Sequence, residues 1–110
     1  MSFEIVLTKS FKRTAKPLVK RFASFAQDLT ALGEELLANP QAGEPLGRDC
    51  YKVRVRIAAK GKGKSGGARV ITCVKIIGKQ IFLLTIYDKS DQDSISDNEH
   101  DDLLRENDLL

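Results

Sequence analysis

The sequence predicts an α+β protein in which helices pack on one face of a small antiparallel sheet. Three observations predict this class. Apolar residues recur at helical spacing before residue 40, apolar and cationic residues alternate over residues 51–57, and two runs rich in strand-forming residues follow at 69–77 and 80–88. A chain of 110 residues suits one hydrophobic core, so we expect a single domain over residues 1–110.

The chain begins with a short apolar run, Phe3 to Leu7, which predicts an edge strand. A basic helix follows, for which Thr8 or Ser10 can serve as the N-cap. Pro17 interrupts this segment, and proline is costly in a helix interior. We therefore expect either a kink at Pro17 or a helix that starts near Thr14 and holds Pro17 in its first turn.

A second helix is predicted after Ser24, which forms a capping-box pattern with Gln27 three residues later. Its apolar residues recur at helical spacing: Phe25, Leu29, Leu32, Leu36 and Leu37. The Asn39-Pro40 pair predicts its end, and the Pro, Gly and polar composition of residues 40–48 predicts a loop.

Strands are predicted next, at 51–57, 69–77 and 80–88, with a flexible basic loop at 60–67 and a tight turn at Gly78-Lys79. Three consecutive antiparallel strands form a meander. Counting by two along the last strand places Thr85, Tyr87 and Lys89 on one side, and it places Phe82, Leu84 and Ile86 on the other.

The C-terminal end carries the opposite charge from the rest of the chain. Residues 1–89 hold seventeen Lys and Arg against seven Asp and Glu, whereas residues 90–110 hold one against eight. Ser96 and Glu99 form a capping-box pattern, so we predict a short acidic helix over 97–106 within an acidic tail, 97–110. The commonest use of such a charge run is solubility; masking of the basic surface is the alternative.

Several kinds of protein are disfavoured by the sequence. No stretch approaches the ~20 apolar residues of a membrane helix, and the N-terminus lacks an export pattern, so we expect a cytoplasmic protein.

Cys50 and Cys73 are expected to be reduced core thiols, with one disulfide as the alternative. His100, the only histidine, is expected at the surface, and neither a metal nor another cofactor is predicted. Gly63-Lys64-Ser65 fails the phosphate-loop pattern because position 58 is Ala58 and a strand follows.

The segment from Arg48 to Arg69 is the most informative, because it holds eight basic residues and one acidic residue. Its strand would bury Val53, Val55 and Ile57 and present cations on the other face, about 6.6 Å apart. Like charges along one strand face repel each other, and an anionic partner removes that repulsion. RNA or DNA is therefore favoured over a merely basic surface.

Three segments resemble the RelE/HigB branch of bacterial type II toxins of the RelE/ParE superfamily. They are Asp49-Cys-Tyr-Lys-Val-Arg-Val-Arg56, Gly61-Lys-Gly-Lys-Ser-Gly-Gly-Ala-Arg-Val-Ile71 and Phe82-Leu-Leu-Thr-Ile-Tyr-Asp-Lys-Ser90. The resemblance implies a RelE-like microbial ribonuclease fold. It also implies a ribosome-dependent endoribonuclease that cleaves mRNA in the ribosomal A site and so inhibits translation. The implied reaction needs no metal and proceeds by attack of the 2′-hydroxyl on the scissile phosphate.

The resemblance also implies the site. The matching catalytic positions are Lys52, Arg54, Arg69 and Lys89, with Tyr87 in place of a tyrosine that well-known RelE members carry after the last basic residue. Further RNA contacts are expected from Arg56, Lys60, Lys62 and Lys64. The implied partners are a cognate antitoxin, the ribosome and mRNA, with DNA reached only through the antitoxin complex. The alternatives are a ParE-like inhibitor of gyrase and a catalytically inactive RNA-binding module on the same fold.

Overall fold

The computed structural model describes residues 2–61, 63 and 66–110, and it confirms the α+β class. The described elements are, in chain order, β1 (Glu4–Leu7), α1 (Lys9–Arg21), α2 (Phe25–Ala38), β2 (Glu44–Gly47), β3 (Cys50–Val55), β4 (Ala68–Lys75), β5 (Gln80–Asp88) and α3 (Asp97–Glu106). A 3-10 turn, Ala58–Lys60, follows β3. No helix in the described part of the chain is long and apolar enough to cross a membrane.

The five strands form one sheet in the order β1-β5-β4-β3-β2. The predicted meander of β3, β4 and β5 is confirmed, and β1 is the predicted edge strand, paired parallel to β5. The prediction of a loop over residues 40–48 is wrong for Glu44–Gly47, which pairs antiparallel with β3. Pro45 is tolerated there because an edge strand leaves one side of its backbone unpaired. The turn into β3 has positive φ at Arg48 and Asp49, which suits a two-residue hairpin but lacks the usual glycine signal.

α1 begins at Lys9 and continues through Pro17, so a start near Thr14 is excluded. Thr8 is its N-cap, and the Thr8 hydroxyl accepts a hydrogen bond from the backbone N–H of Phe11 at 3.1 Å. The same hydroxyl donates to the carbonyl of Leu83 at 2.7 Å, which ties the start of the helix to β5.

α2 begins after Ser24, but the predicted capping box is wrong because the Ser24 side chain makes no capping hydrogen bond. Phe25, Leu32 and Leu36 are buried as predicted, whereas Leu37 is 48% exposed. The helix is therefore held mainly by its apolar contacts with the sheet.

Both faces of the sheet are covered. α1 and α2 pack on one face over what we call the helix-side core, which includes Phe25, Leu36, Val53, Val70 and Ile81. α3 packs on the other face over the tail-side core, which consists of Cys50, Ile71, Cys73, Leu84, Tyr87 and Leu104, with partly buried neighbours. The sequence predicted only the first of these layers.

A β-bulge in β5 changes which side chains share a face. Ile71 pairs with Thr85 and Thr72 pairs with Leu83, so Leu84 is the extra residue. Beyond it Ile86 packs in the helix-side core, and Tyr87 packs in the tail-side core. The prediction that Ile86 lies opposite Tyr87 is therefore confirmed, whereas the prediction that Leu84 shares a face with Ile86 is wrong.

α3 confirms the predicted helix over 97–106 and its capping box between Ser96 and Glu99. Leu104 buries its side chain in the tail-side core, and Arg48 forms an ion pair with Asp101. His100 is 8% exposed, so the expectation of a surface histidine is wrong. The tail is thus a packed part of the domain at α3.

Candidate active site: a cationic cleft at one end of the sheet

Three predicted site residues form a row across the three central strands, near one end of the sheet. Arg54 of β3 lies opposite Arg69 of β4, and Arg69 lies opposite Tyr87 of β5. The N–H of Val74 donates to the carbonyl of Asp49 at 2.9 Å, which makes that pair a hydrogen-bonded position of the ladder. Because the two kinds of position alternate, Arg54 and Arg69 occupy a non-hydrogen-bonded position, where Cα atoms are only about 4.5 Å apart. Two cations so close together favour an anion between or above them.

Arg69 is 4% exposed and is a buried cation at the centre of this row. Its Nη1 donates to the carbonyl of Ala68 at 3.0 Å, which helps to fix the guanidinium. A guanidinium stays charged at any physiological pH, so this end of the sheet carries a fixed positive charge in a partly desolvated setting.

The row opens into a cleft of about 610 Å³. The lining residues are Glu35, Gly43, Glu44, Lys52, Val53, Arg54, Arg69, Lys89, Asp93 and Ser94. Four of the five predicted catalytic residues, Lys52, Arg54, Arg69 and Lys89, are therefore brought together from β3, β4 and the end of β5. The three carboxylates that share the cleft were not predicted, because they come from distant segments without a motif.

One of those carboxylates pairs with Lys52. The Lys52 Nζ lies 3.7 Å from Oε2 of Glu44, across the β2–β3 hairpin that the sequence did not predict. The Lys52 side chain is only 20% exposed. The ion pair with Glu44 holds the Lys52 side chain at the wall of the cleft.

Tyr87 adjoins Arg69 but does not line the cleft. Its ring is 8% exposed in the tail-side core, and its hydroxyl donates to the carbonyl of Asp93 at 3.3 Å. Burial raises the pKa of the Tyr87 hydroxyl. The structure places Tyr87 in a packing position beside Arg69, and its contact with the substrate stays a prediction.

The predicted RNA-contact residues divide into three cases. Arg56 is exposed and lines a depression of about 200 Å³ that shares Arg54 and Glu35 with the cleft. Lys60 is 15% exposed, does not line the cleft and is paired with Asp88, and its RNA contact stays a prediction. Lys62 and Lys64 lie outside the described residues.

Asp88 is a buried carboxylate that the sequence analysis missed. Its side chain is fully buried, and Oδ1 accepts hydrogen bonds from Lys60 Nζ at 2.5 Å and from the N–H and hydroxyl of Ser90 at 2.9 Å. Burial raises the pKa of the Asp88 carboxyl, but the hydrogen bonds from Lys60 and Ser90 outweigh burial and hold that pKa below its usual value. Only the placement of an acid at the end of an apolar strand, beside Lys89, hinted at such a role.

The Asp88 contacts fix both ends of the basic loop at the edge of the cleft. Lys60 also donates to the carbonyl of Gly66 at 3.3 Å, and the N–H of Lys89 donates to the carbonyl of Gly67 at 3.0 Å. Gly67 is required there, because an added Cβ would lie 2.0 Å from the carbonyl oxygen of Val55. Lys89 is thus held where β5 leaves the sheet.

Metal-ligating side chains are not clustered in the part of the chain that the structure describes: no group of three or more His, Cys, Asp and Glu residues is placed to hold an ion. The charged residues that line the cleft are four cations and three carboxylates.

Comparisons with known proteins identify the fold and the family. In the solved structure of a doubly substituted mutant of the E. coli toxin RelE in the free state, 98% of the chain aligns with 96% of this one, at a TM-score of 0.62 and 16% sequence identity. At that identity the match shows a shared fold. The sequence model of a family described as "RelE toxin of RelE / RelB toxin-antitoxin system" matches residues 3–107. The chain therefore belongs to the RelE toxin family, whose toxin–antitoxin systems pair each toxin with a cognate antitoxin.

Proposed function

We propose that this chain is a ribosome-dependent mRNA endonuclease that cleaves mRNA in the ribosomal A site and inhibits translation until its antitoxin binds it. The observation that carries the proposal is the cleft in which Lys52, Arg54, Arg69 and Lys89 meet. A polyanion is the ligand that such a set suits best, because Lys and Arg side chains are the groups that contact phosphates.

The proposed reaction is attack of a ribose 2′-hydroxyl on the adjacent phosphorus. The P–O5′ bond breaks, which leaves a 2′,3′-cyclic phosphate and a 5′-oxygen that takes a proton from water to become a free hydroxyl. Negative charge builds up on the phosphate oxygens in the transition state, and fixed cations aimed at that charge provide the largest stabilisation. Arg69, which is buried, and Lys89, at the strand end, are proposed for this role, while Arg54 orients the phosphate.

The 2′-hydroxyl must lose a proton. Lys52 is the base that the family resemblance suggests, but an ammonium group only donates hydrogen bonds, whereas a carboxylate accepts them. Because Glu44 lies 3.7 Å from Lys52, we assign proton uptake to the Lys52–Glu44 pair. Comparing Glu44→Gln with Lys52→Met separates the two: the variant that lacks the base should lose the rising acid limb of the pH–rate profile.

The ribosome and its mRNA are proposed as the partners that present the RNA. α1 supplies cations for such a contact outside the cleft. Its exposed basic residues are Lys9, Lys12, Arg13, Lys16, Lys20 and Arg21, and within the described structure the four lysines pair with no carboxylate. A helix with this charge suits the phosphate backbone of structured RNA.

The test is expression of the chain without antitoxin, followed by mapping of mRNA 5′ ends. We expect growth arrest and cuts in phase with codons, and no cutting of the same mRNA when ribosomes are absent. Arg69→Ala and Lys89→Ala should relieve the arrest, whereas Arg105→Ala, an exposed cation on α3, should not. Arrest with intact mRNA that survives replacement of Lys52, Arg54 and Arg69 would refute the proposal and favour a gyrase inhibitor.

A further inference from the structure

Two cysteines face each other in the centre of the sheet. Cys50 of β3 lies directly opposite Cys73 of β4. They are next to the hydrogen-bonded pair of Asp49 and Val74, so they occupy a non-hydrogen-bonded position of the ladder. At such positions Cα atoms are about 4.5 Å apart, within the span of about 4.4 to 6.8 Å that a disulfide bridges.

The two side chains also point to the same place. Both cysteines belong to the tail-side core, so both lie on one face of the sheet. The Cys50 thiol donates to the carbonyl of Arg48 at 3.4 Å, and the Cys73 thiol lies 4.0 Å from the same oxygen. Two sulfur atoms that share one acceptor and interact with each other need no backbone rearrangement to form a bond.

The electrostatic setting distinguishes the two thiols. The hydrogen bond from Cys50 lowers the pKa of Cys73, against the opposing effect of burial, and Lys75 adds to the lowering. The same hydrogen bond and burial raise the pKa of Cys50. The lower pKa makes Cys73 the thiol of the pair that loses its proton more readily. This assigns attack on an oxidant to Cys73 and resolution to Cys50.

The cysteines are buried beside a surface depression. Cys50 and Cys73 are 1% and 0% exposed. The depression, of about 380 Å³, is lined by their chain neighbours and by the C-terminal end: Arg48, Asp49, Lys75, Leu104, Leu109 and Leu110. An exposed ion pair between Lys75 and Asp49, 3.7 Å apart, forms part of its wall. Such burial excludes large reagents, so the proposed oxidant is a small one.

We propose that Cys50 and Cys73 form an oxidation site that takes hydrogen peroxide or a similarly small peroxide and becomes a cross-strand disulfide. In the first step the Cys73 thiolate attacks one peroxide oxygen, the O–O bond breaks, and a sulfenic acid and hydroxide are formed. In the second step the Cys50 sulfur gives up its proton and attacks the Cys73 sulfur, and the S–O bond breaks to release water. Overall, two thiols and one hydrogen peroxide give one disulfide and two waters. This inference does not depend on RNA cleavage.

The bond would change the chain around the cleft. Cys50 precedes Lys52 and Arg54 on one face of β3, and Cys73 follows Arg69 on the same face of β4. The disulfide would therefore close a loop over residues 50–73, which carries most of the cleft's cations and the basic loop. Closing such a loop restricts the unfolded chain, so the oxidised protein should unfold at a higher urea concentration.

The test uses the folded full-length chain and hydrogen peroxide. After catalase treatment the protein is denatured, alkylated with iodoacetamide and weighed intact. We expect a species that has lost two hydrogen atoms and takes up no alkyl group, and that takes up two after reduction with dithiothreitol. Its urea midpoint should be higher than that of the reduced protein.

Single variants provide the control. Cys50→Ser and Cys73→Ser should each fail to form the lighter species. Retention of both alkylatable thiols in the wild-type chain would overturn the proposal, as would addition of oxygen to one cysteine without loss of the other, or a disulfide-linked dimer. The wild-type measurement decides the matter even where a variant folds poorly.

Discussion

Asp88 is the residue whose removal should weaken the fold most clearly through charge alone. The substitution Asp88→Asn keeps the shape and one oxygen acceptor but removes the negative charge opposite Lys60. The Asp88 side chain is fully buried and that of Lys60 is 15% exposed, so water can replace little of the lost interaction. Removing one partner of a buried ion pair costs about 3 to 5 kcal/mol. Because Asn can still accept the Lys60 and Ser90 hydrogen bonds, we expect the lower end of that range.

Urea unfolding followed by circular dichroism measures this loss. With a urea slope of about 1–3 kcal/mol/M, a loss of about 3 kcal/mol lowers the midpoint by about 1 to 3 M. Asp91→Asn is the matched control, since Asp91 pairs with Arg21 at 3.8 Å and is 61% exposed. Such exposed pairs contribute below about 1 kcal/mol.

The difference between wild type and Asp88→Asn should also depend on pH. The folded-state pKa of Asp88 is lowered, so the carboxylate's contribution is present above the usual carboxyl pKa and is lost as pH falls through the folded value. Equal urea midpoints for Asp88→Asn and Asp91→Asn at neutral pH, or a difference that grows on acidification, would refute the reasoning.

Three further predictions concern α3, His100 and α1. Leu104→Ala should lower the free energy of unfolding by about 2 to 5 kcal/mol, because Leu104 is 1% exposed in the tail-side core. Leu110→Ala, at a 68% exposed position, should change that free energy little. Urea unfolding of both variants measures the difference. Burial and Arg48 lower the pKa of His100, so on acidification the unfolded chain binds a proton before the folded chain does. The free energy of unfolding should therefore fall as pH drops below 6.5, the ordinary pKa of histidine. His100→Asn should remove this pH dependence, and an unchanged dependence would contradict the role of His100. If α1 contacts ribosomal RNA, the double variant Lys16→Gln/Lys20→Gln should bind ribosomes more weakly at low salt. The salt dependence of ribosome binding should fall by about one phosphate contact per lysine. An unchanged salt dependence would count against contact between α1 and the RNA.

The elements that sequence could predict are those with a local signal. The alternation of Val53 and Val55 with cations identified β3, and the Ser96/Glu99 pattern identified the start of α3, because each depends on neighbours in the chain. The family resemblance then brought Arg54 and Arg69 into one site, where the register places them opposite each other.

The features that sequence could not predict arise from distant contacts. β2 has Pro45 in its middle and exists because β3 offers it a partner, and the bulge at Leu84 follows from the register between β4 and β5. The carboxylates of Glu35, Glu44 and Asp93 reach the cleft from three separate elements or loops. The sequence places Lys60 among the cations of a basic loop and gives no sign of its buried partner Asp88.

The assignment of the cleft as the active site is tested most directly by the rate at which Arg69→Ala cleaves mRNA bound in programmed ribosomes. The rate is measured in a single turnover beside wild type and Arg105→Ala. We expect a loss of about 100-fold or more for Arg69→Ala, because it removes a fixed group that stabilises transition-state charge, and a wild-type rate for Arg105→Ala. Lys89→Ala, at an exposed position, gives the same comparison without disturbing the core. Cleavage by folded Arg69→Ala and Lys89→Ala at the wild-type rate would contradict the assignment of the cleft as the active site.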